Sequence, residues 1–275
     1  MRSAPAFAKI NLALVVGPRR EDAKHEVVTV LQQIDLHDTI TLAPADDHLV
    51  EGFADDTIVT RTLTTLARSA GVAHGWHVHI EKRIPIASGL GGGSSDAATA
   101  LGLANETLDE PLRRDELHRI AAGLGADVPF FLRRGSQLAM GDGSDLADVG
   151  LPTAYAVVLV VPHGETKDSS GAVYAAFDAR DGAAGFEARV ARLRETLAAV
   201  STAHDLAALP SNDLASSPLA AQLEAVGAIR ADVSGAGPIV YGLFADEAEA
   251  AAAAEQLSAF GRTIVAHPVA AAGAS

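Results

Sequence analysis

Four glycines, three serines and an acid are crowded into the run Pro85-Ile86-Ala87-Ser88-Gly89-Leu90-Gly91-Gly92-Gly93-Ser94-Ser95-Asp96, directly ahead of the alanine-rich stretch from Ala97 to Leu101. No other segment restricts the fold as strongly. Glycine lets a chain bend sharply and approach a ligand, and alanine is the best helix former. A helix start also presents unpaired N–H groups and the positive end of the helix dipole. Together these features make an anion cradle suited to a di- or triphosphate. The competing reading is a plain turn before a helix capped by Ser94 or Ser95. Spacing excludes better-known cradles. No Lys-Ser or Lys-Thr follows the loop, the third glycine of the dinucleotide fingerprint is missing at Ser94, and the protein-kinase triplets are absent.

A polyanion site has to be reconciled with the bulk charge. The chain has 275 residues with 21 basic and 35 acidic side chains, a formal net charge of −14. Such a chain is a poor partner for nucleic acid. Local backbone dipoles can still hold a nucleotide. With 48% hydrophobic and 20% charged residues, it has the apolar content for a sizeable core, in one large domain or two. Cysteine is absent, which removes disulfides and thiolate metal sites and fits a reducing cytoplasm. Lys9 and Asn11 interrupt the apolar run from Ala4 to Val16, so neither a signal peptide nor a membrane span is expected. Only four lysines occur, Lys9, Lys24, Lys82 and Lys167; arginine is the default cation.

Periodicity predicts strands at Phe7 to Val16, Asp38 to Leu42 and Trp76 to Glu81, with Glu26 to Ile34 compatible with strand or helix. Helices are expected from beyond Asp56 to about Ala70 and at Asp115 to Leu124, with a loop at Gly141 to Gly143. A boundary near Gly150 to Pro152 divides the chain into domains 1–150 and 151–275. The second half reads as strands at Tyr155 to Val161, Ala228 to Val233, Ile239 to Phe244 and Thr263 to His267. Helices are expected at Gly171 to Phe177, Phe186 to Val200, Asn212 to Val226 and Asp246 to Phe260. Strands under helices in both halves indicate an α+β fold.

Taken alone, several polar residues have ordinary explanations. Asp127, ahead of Val128-Pro129-Phe130, is a candidate helix N-cap. Lys9, inside an apolar strand, must meet a partner or lie on the wet face of an edge strand. His77 and His79 share a strand face without a third metal ligand, and read as solvated. Gly141-Asp142-Gly143-Ser144-Asp145 hints at a calcium loop, but Thr153 stands where a bidentate acid is needed, so a turn is expected. Asn212-Asp213 reads as a helix cap.

The joint pattern says more. The glycine segment resembles the second motif of the GHMP kinases. Ala8-Lys9-Ile10-Asn11-Leu12 is similar to their first motif and Gly125-Ala126-Asp127-Val128-Pro129-Phe130 to their catalytic-acid segment. Ser211-Asn212-Asp213-Leu214 resembles a second-domain signature, and Ser234-Gly235-Ala236-Gly237-Pro238 the third motif. Order and spacing agree across nearly the whole chain. The Gly-Leu-Gly-Gly-Gly-Ser-Ser-Asp-Ala-Ala form is most similar to the branch that acts on a cytidine-diphosphate polyol in isoprenoid synthesis.

The resemblance implies a two-lobed fold, with an N-terminal domain like domain 2 of ribosomal protein S5 and a ferredoxin-like C-terminal domain. It implies an ATP-dependent kinase acting on a small alcohol with Mg²⁺, as a monomer or homodimer. Gly89, Leu90, Gly91, Gly92, Gly93, Ser94, Ser95 and Asp96 would hold the triphosphate with Gly235 and Gly237, and Thr57 would lie by the adenine. Ser95 would assist the metal, Asp127 would be the base and Lys9 its cationic partner. Asn11, Lys24, His25 and Asp127 would meet the substrate.

One departure bears on the substrate. Where the branch carries Asp-Gly-Tyr-His, with the tyrosine stacking on cytosine, this chain has Asp22-Ala23-Lys24-His25. Stacking of a base on an aromatic ring contributes about 1 to 3 kcal/mol. Its loss leaves two readings: a cytidyl kinase with a repaired base pocket, Lys24 lying over the base by its stem, or a relative phosphorylating another polyol whose phosphate Lys24 binds. A smaller departure is Asp56-Thr57-Ile58 in place of Asp-Asn-Leu, and Ser169 to Tyr174 is a drifted form of Ser-Thr-Pro-x-Val-Tyr. A non-catalytic relative would be expected to lose Lys9 or Asp127, and both are present.

Overall fold

The computed structural model describes residues 1–53, 58–164 and 169–271. The chain forms two compact units: the first comprises Met1–Ala8, Leu36–Ile86 and Gly91–Arg134, the second Lys9–Asp35, Ala87–Leu90 and Gly135–Ser275. The long strands β1 (Arg2–Arg19) and β2 (His25–Ala45) contribute to both.

In the first unit, the C-terminal half of β2 pairs antiparallel with β4 (Gly75–Glu81), from Thr39 opposite Glu81 to Ala45 opposite Gly75, and β3 (Leu49–Glu51) pairs parallel with β4. In β4, Trp76, Val78 and Ile80 point inward while His77, His79 and Glu81 are exposed, the alternation of a strand with one wet face. Helix α1 (Ile58–Ala70) buries Val59, Thr62, Leu63, Leu66 and Ala67, the 3–4 spacing of one helical face. Helix α2 (Gly92–Asn105) is buried nearly all round, and its alanines admit close packing against this core. Trp76 is fully buried, and its indole N–H is satisfied by Thr107 Oγ1 at 2.8 Å. Helix α3 (Arg114–Leu124) completes the unit.

In the second unit, the N-terminal half of β2 pairs with β5 (Ser136–Met140), which forms a hairpin with β6 (Asp145–Val149). A separate antiparallel sheet has the order β10-β7-β9-β8, built from β7 (Ala156–Pro162), β8 (Arg230–Val233), β9 (Val240–Phe244) and β10 (Gly261–Ala266). Helices α4 (Ser170–Ala179), α5 (Phe186–Ala199) and α6 (Pro218–Ala225) precede β8, and α7 (Glu247–Leu257) precedes β10. The β7-helix-β8-β9-helix-β10 succession is the ferredoxin-like arrangement. Leu223, Val233, Val240, Phe244 and Leu257 form its core. The α+β expectation holds.

Three local expectations change. Glu26 to Ile34 is strand, continuous with Asp38 to Leu42 in β2. Strands β5 and β6, on either side of Gly141 to Gly143, were not expected. The helix expected from Asn212 begins only at Pro218, where Ser217 supplies the cap and proline occupies the first turn. Among the described residues, no helix is long and apolar enough to cross a membrane.

Candidate active site

The glycine run splits between the units. Helix α2 starts in the first unit with Gly91 at the N-cap position in the left-handed region, φ 72°, and no side chain caps it. Ser94 and Ser95 lie inside the helix, so neither is the cap. With no acid in its first turn, α2 keeps its first backbone N–H groups available to an outside acceptor. That is the chemistry of an anion site.

Beneath this helix start is a charge cluster that sequence reading missed. Lys82 Nζ donates to Asp38 Oδ2 at 2.5 Å and to Asp96 Oδ2 at 2.8 Å. Asp38 Oδ1 accepts from the backbone N–H groups of Arg83 and Ile84. Both carboxylates are buried. Burial pushes the Asp96 carboxyl upward despite the ammonium. Burial also works against the charge on Lys82, but Asp96 and Asp38 outweigh it and raise its pKa. The available signal was the rarity of lysine. Two polar atoms near the helix start, Ser95 Oγ and Asp96 Oδ1, are buried without a hydrogen-bond partner among the described residues.

The second unit holds the first and third motifs. Lys9 and Asn11 lie two residues apart on β1 and therefore share a face. Both are buried, at 4% and 5% exposure, which excludes the wet edge strand for Lys9. Lys9 Nζ donates to Asn11 Oδ1 at 2.5 Å, and Asn11 Nδ2 to Thr29 Oγ1 at 2.9 Å, so Asn11 is oriented by β2. The Lys9 backbone N–H donates to the Leu90 carbonyl at 3.0 Å, and Ser234 Oγ to the Gly89 carbonyl at 3.0 Å. Gly89 has φ 84°, and a Cβ there would collide with the Ser234 carbonyl oxygen. A Cβ on Gly235 would lie 3.4 Å from both Gly89 O and Lys9 Nζ. Asn212 Oδ1 accepts from the N–H groups of Leu214 and Ala215, but in a turn with no helix behind it, while its amide donates to the carbonyls of Val233 and Gly235, holding the third-motif turn. Lys9, Asn11, Gly89, Leu90 and Gly235 are thus brought together.

His25 is also in this unit, and buried. Its ring is stacked on Tyr174 at 4.7 Å between centroids and 22° between planes, with Phe177 edge-on at 6.0 Å. Nε2–H donates to Asp178 Oδ1 at 2.8 Å. Tyr174 and Asp178, from α4, were not anticipated as partners of His25. Lys24 Nζ binds Asp142 Oδ2 at 2.5 Å. Asp142 Oδ1 accepts from both the N–H and the hydroxyl of Ser144, so the supposed calcium loop is the β5–β6 turn.

Asp127 lies in the first unit, in the turn after α3 and before a 3₁₀ turn at Pro129–Leu132. Val128, not Asp127, occupies the N-cap position of that turn, so the capping explanation fails. Thr57 lies outside the described residues. His77 is exposed and paired with Glu51 at 2.6 Å. Among the described residues, no three His, Cys, Asp or Glu side chains form a metal cluster.

The uncapped start of α2 in the first unit, and in the second a buried lysine whose backbone N–H is bonded to Leu90, are each features suited to phosphate. Comparison with known proteins agrees: residues 57–135 match the GHMP kinases N terminal domain and residues 195–263 the GHMP kinases C terminal domain. The chain is 36% identical to the 4-diphosphocytidyl-2-C-methyl-D-erythritol kinase of Chlorobium chlorochromatii, with 94% of each chain covered. It is 39% identical to the enzyme of that name from Salinispora tropica, over 92% of this chain and 86% of the relative. A crystal structure of 4-(cytidine 5'-diphospho)-2C-methyl-D-erythritol kinase superposes with a TM-score of 0.78 at 28% identity, covering 98% and 99% of the two chains. A mevalonate kinase with a TM-score of 0.76 at 12% identity shares the fold. The chain belongs to the GHMP kinases. It is an ATP-dependent kinase that phosphorylates an alcohol hydroxyl.

Proposed function

We propose that the chain transfers the γ-phosphate of ATP to a hydroxyl of 4-diphosphocytidyl-2-C-methyl-D-erythritol. The observation that carries this reading is the surroundings of His25. The motif has lost its tyrosine, but Tyr174 supplies an aromatic face parallel to the imidazole, and Asp178 fixes which ring nitrogen bears the proton. A flat aromatic pair with one oriented polar edge suits a nucleobase. The curated relatives named above point to the same substrate.

In this reading the backbone of Gly89 to Ser95 holds the triphosphate with Gly235 and Gly237, and Asp96 braces the helix that carries the cradle. Thr57 accompanies the adenine, and Asn11 orients the acceptor alcohol. The alcohol oxygen attacks the γ-phosphorus, its proton passes to the Asp127 carboxylate, and the bond to the β–γ bridging oxygen breaks to release ADP. Lys9 supplies positive charge for the developing alkoxide and phosphoryl oxygens. The Ser95 hydroxyl and Asp96 Oδ1, which carry no hydrogen bond among the described residues, are the protein oxygens that would help hold Mg²⁺ beside the nucleotide. When bound, it neutralises phosphate charge. We assign residues 1–150 and 151–275 to the two family domains, a division that leaves each matched segment intact. The substrates are soluble, which suits a cytoplasmic enzyme.

The alternative, a polyol phosphate bound by Lys24, is weakened because Asp142 already holds that ammonium. The test is ADP release with Mg-ATP and the cytidyl substrate, for wild type and His25→Ala. Wild-type turnover with KM raised about tenfold or more in the variant supports the base site. An unchanged KM contradicts it.

A further inference from the structure

The Lys24–Asp142 pair is this chain's own feature, since Lys24 stands where the motif carries an aromatic. The backbone around it is fixed independently. Arg20 N–H donates to the Lys24 carbonyl at 2.7 Å, Lys24 N–H to Asp22 Oδ1 at 3.1 Å, and Ala23 adopts φ 64°. Val27 N–H donates to the Gly141 carbonyl at 2.8 Å, which ties the β5–β6 turn to β2 two residues beyond His25. What remains to be set is the direction of the Lys24 side chain, and Asp142 sets it. Burial pushes the Asp142 carboxyl up, but hydrogen bonds from Lys24 and Ser144 outweigh this and hold it down at about 2. It is ionised at any working pH. The other charges nearby are already engaged: Arg20 with Asp22 and Glu26, and Asp178 with His25.

We propose that Asp142 is a specificity-determining positioning residue: by holding the Lys24 ammonium on the β5–β6 turn, it withdraws that cation from the substrate and leaves the four-carbon stem as an apolar wall beside His25. This rests on the cytidyl reading and deepens it. An uncharged base gains nothing from a strongly hydrated ammonium, whose desolvation opposes binding, whereas a methylene stem covers a flat apolar face. Paired, Lys24 stands in for the lost aromatic. Released, it would favour an anion.

The experiment is steady-state kinetics of the full chain with Mg-ATP and 4-diphosphocytidyl-2-C-methyl-D-erythritol. Asp142→Asn keeps the Oδ1 acceptor for Ser144 and loses the charge. KM for the cytidyl substrate is expected to rise about tenfold, with kcat and the KM for ATP within about twofold of wild type. Adding Lys24→Met, similar in length and uncharged, to Asp142→Asn is expected to bring KM back to within about threefold of wild type. Damage to the hairpin alone would not be repaired by removing the lysine charge, so rescue separates positioning from folding. An unchanged KM in Asp142→Asn, or a double variant no better than the single one, overturns the proposal while the substrate assignment stands. A wild type that does not turn over the cytidyl substrate rejects both.

Discussion

Gly89 shows how a single side chain position is dictated. Its positive φ and the Ser234 carbonyl oxygen against its α-carbon leave no room for a Cβ. Gly89→Ala is expected to destabilise the protein by about 1 to 3 kcal/mol in urea denaturation and to raise the KM for ATP; a variant with wild-type stability and wild-type KM would show that the loop is not packed as described. Asp127→Asn is expected to lower kcat by about 100-fold or more without loss of ATP binding by calorimetry. Retained turnover would remove Asp127 as the base. The glycines were legible because each answers a local backbone demand. Lys82 was not, because its meaning comes from Asp38 and Asp96, which are distant in sequence and meet only in the fold. Asn212 was recognised from its motif, and its side-chain oxygen does take the N–H groups of Leu214 and Ala215, but no helix starts there and its partners at Val233 and Gly235 are distant in sequence.

At the scale of elements, the start of α2 depends on what lies under it. Removing one member of a buried ion cluster leaves the others uncompensated, so Lys82→Met is expected to cost about 3 to 5 kcal/mol. A loss below about 1 kcal/mol would mean that the cluster is hydrated rather than buried. The β5–β6 turn has a pH signature. The Asp142 carboxyl is lowered from its ordinary 3.8 to about 2, so its contribution is present above the ordinary value and disappears as pH falls toward 2. Asp142→Asn should therefore flatten the acid side of the thermal stability curve in that window. An unchanged acid limb would show that the pair contributes nothing to folding. Long periodic elements such as α1 and β4 were legible in sequence because their burial pattern is their hydrophobic pattern. The hairpin strands were not: Ser136 to Met140 mixes buried polar and apolar residues, and Asp145 to Val149 is half exposed, so neither shows a clean alternation.

For the whole molecule, the proposed reading lets an acidic chain act on polyanionic substrates because the groups assigned to phosphate are local: glycine backbone, an uncapped helix start and one buried lysine. The net charge of −14 says little about these sites. The motifs made the kinase class legible from the sequence. The substrate was less so, because the proposed base site combines His25 with Tyr174 and Asp178 from a helix about 150 residues away, and only the folded chain brings them together. The most direct measurement is a one-pot competition with Mg-ATP, 4-diphosphocytidyl-2-C-methyl-D-erythritol and a set of free and phosphorylated polyols, products followed by phosphorus NMR. Phosphorylation of the cytidyl compound ahead of every other acceptor is the predicted result. Preferential phosphorylation of a polyol phosphate, with the cytidyl compound untouched, would contradict the account.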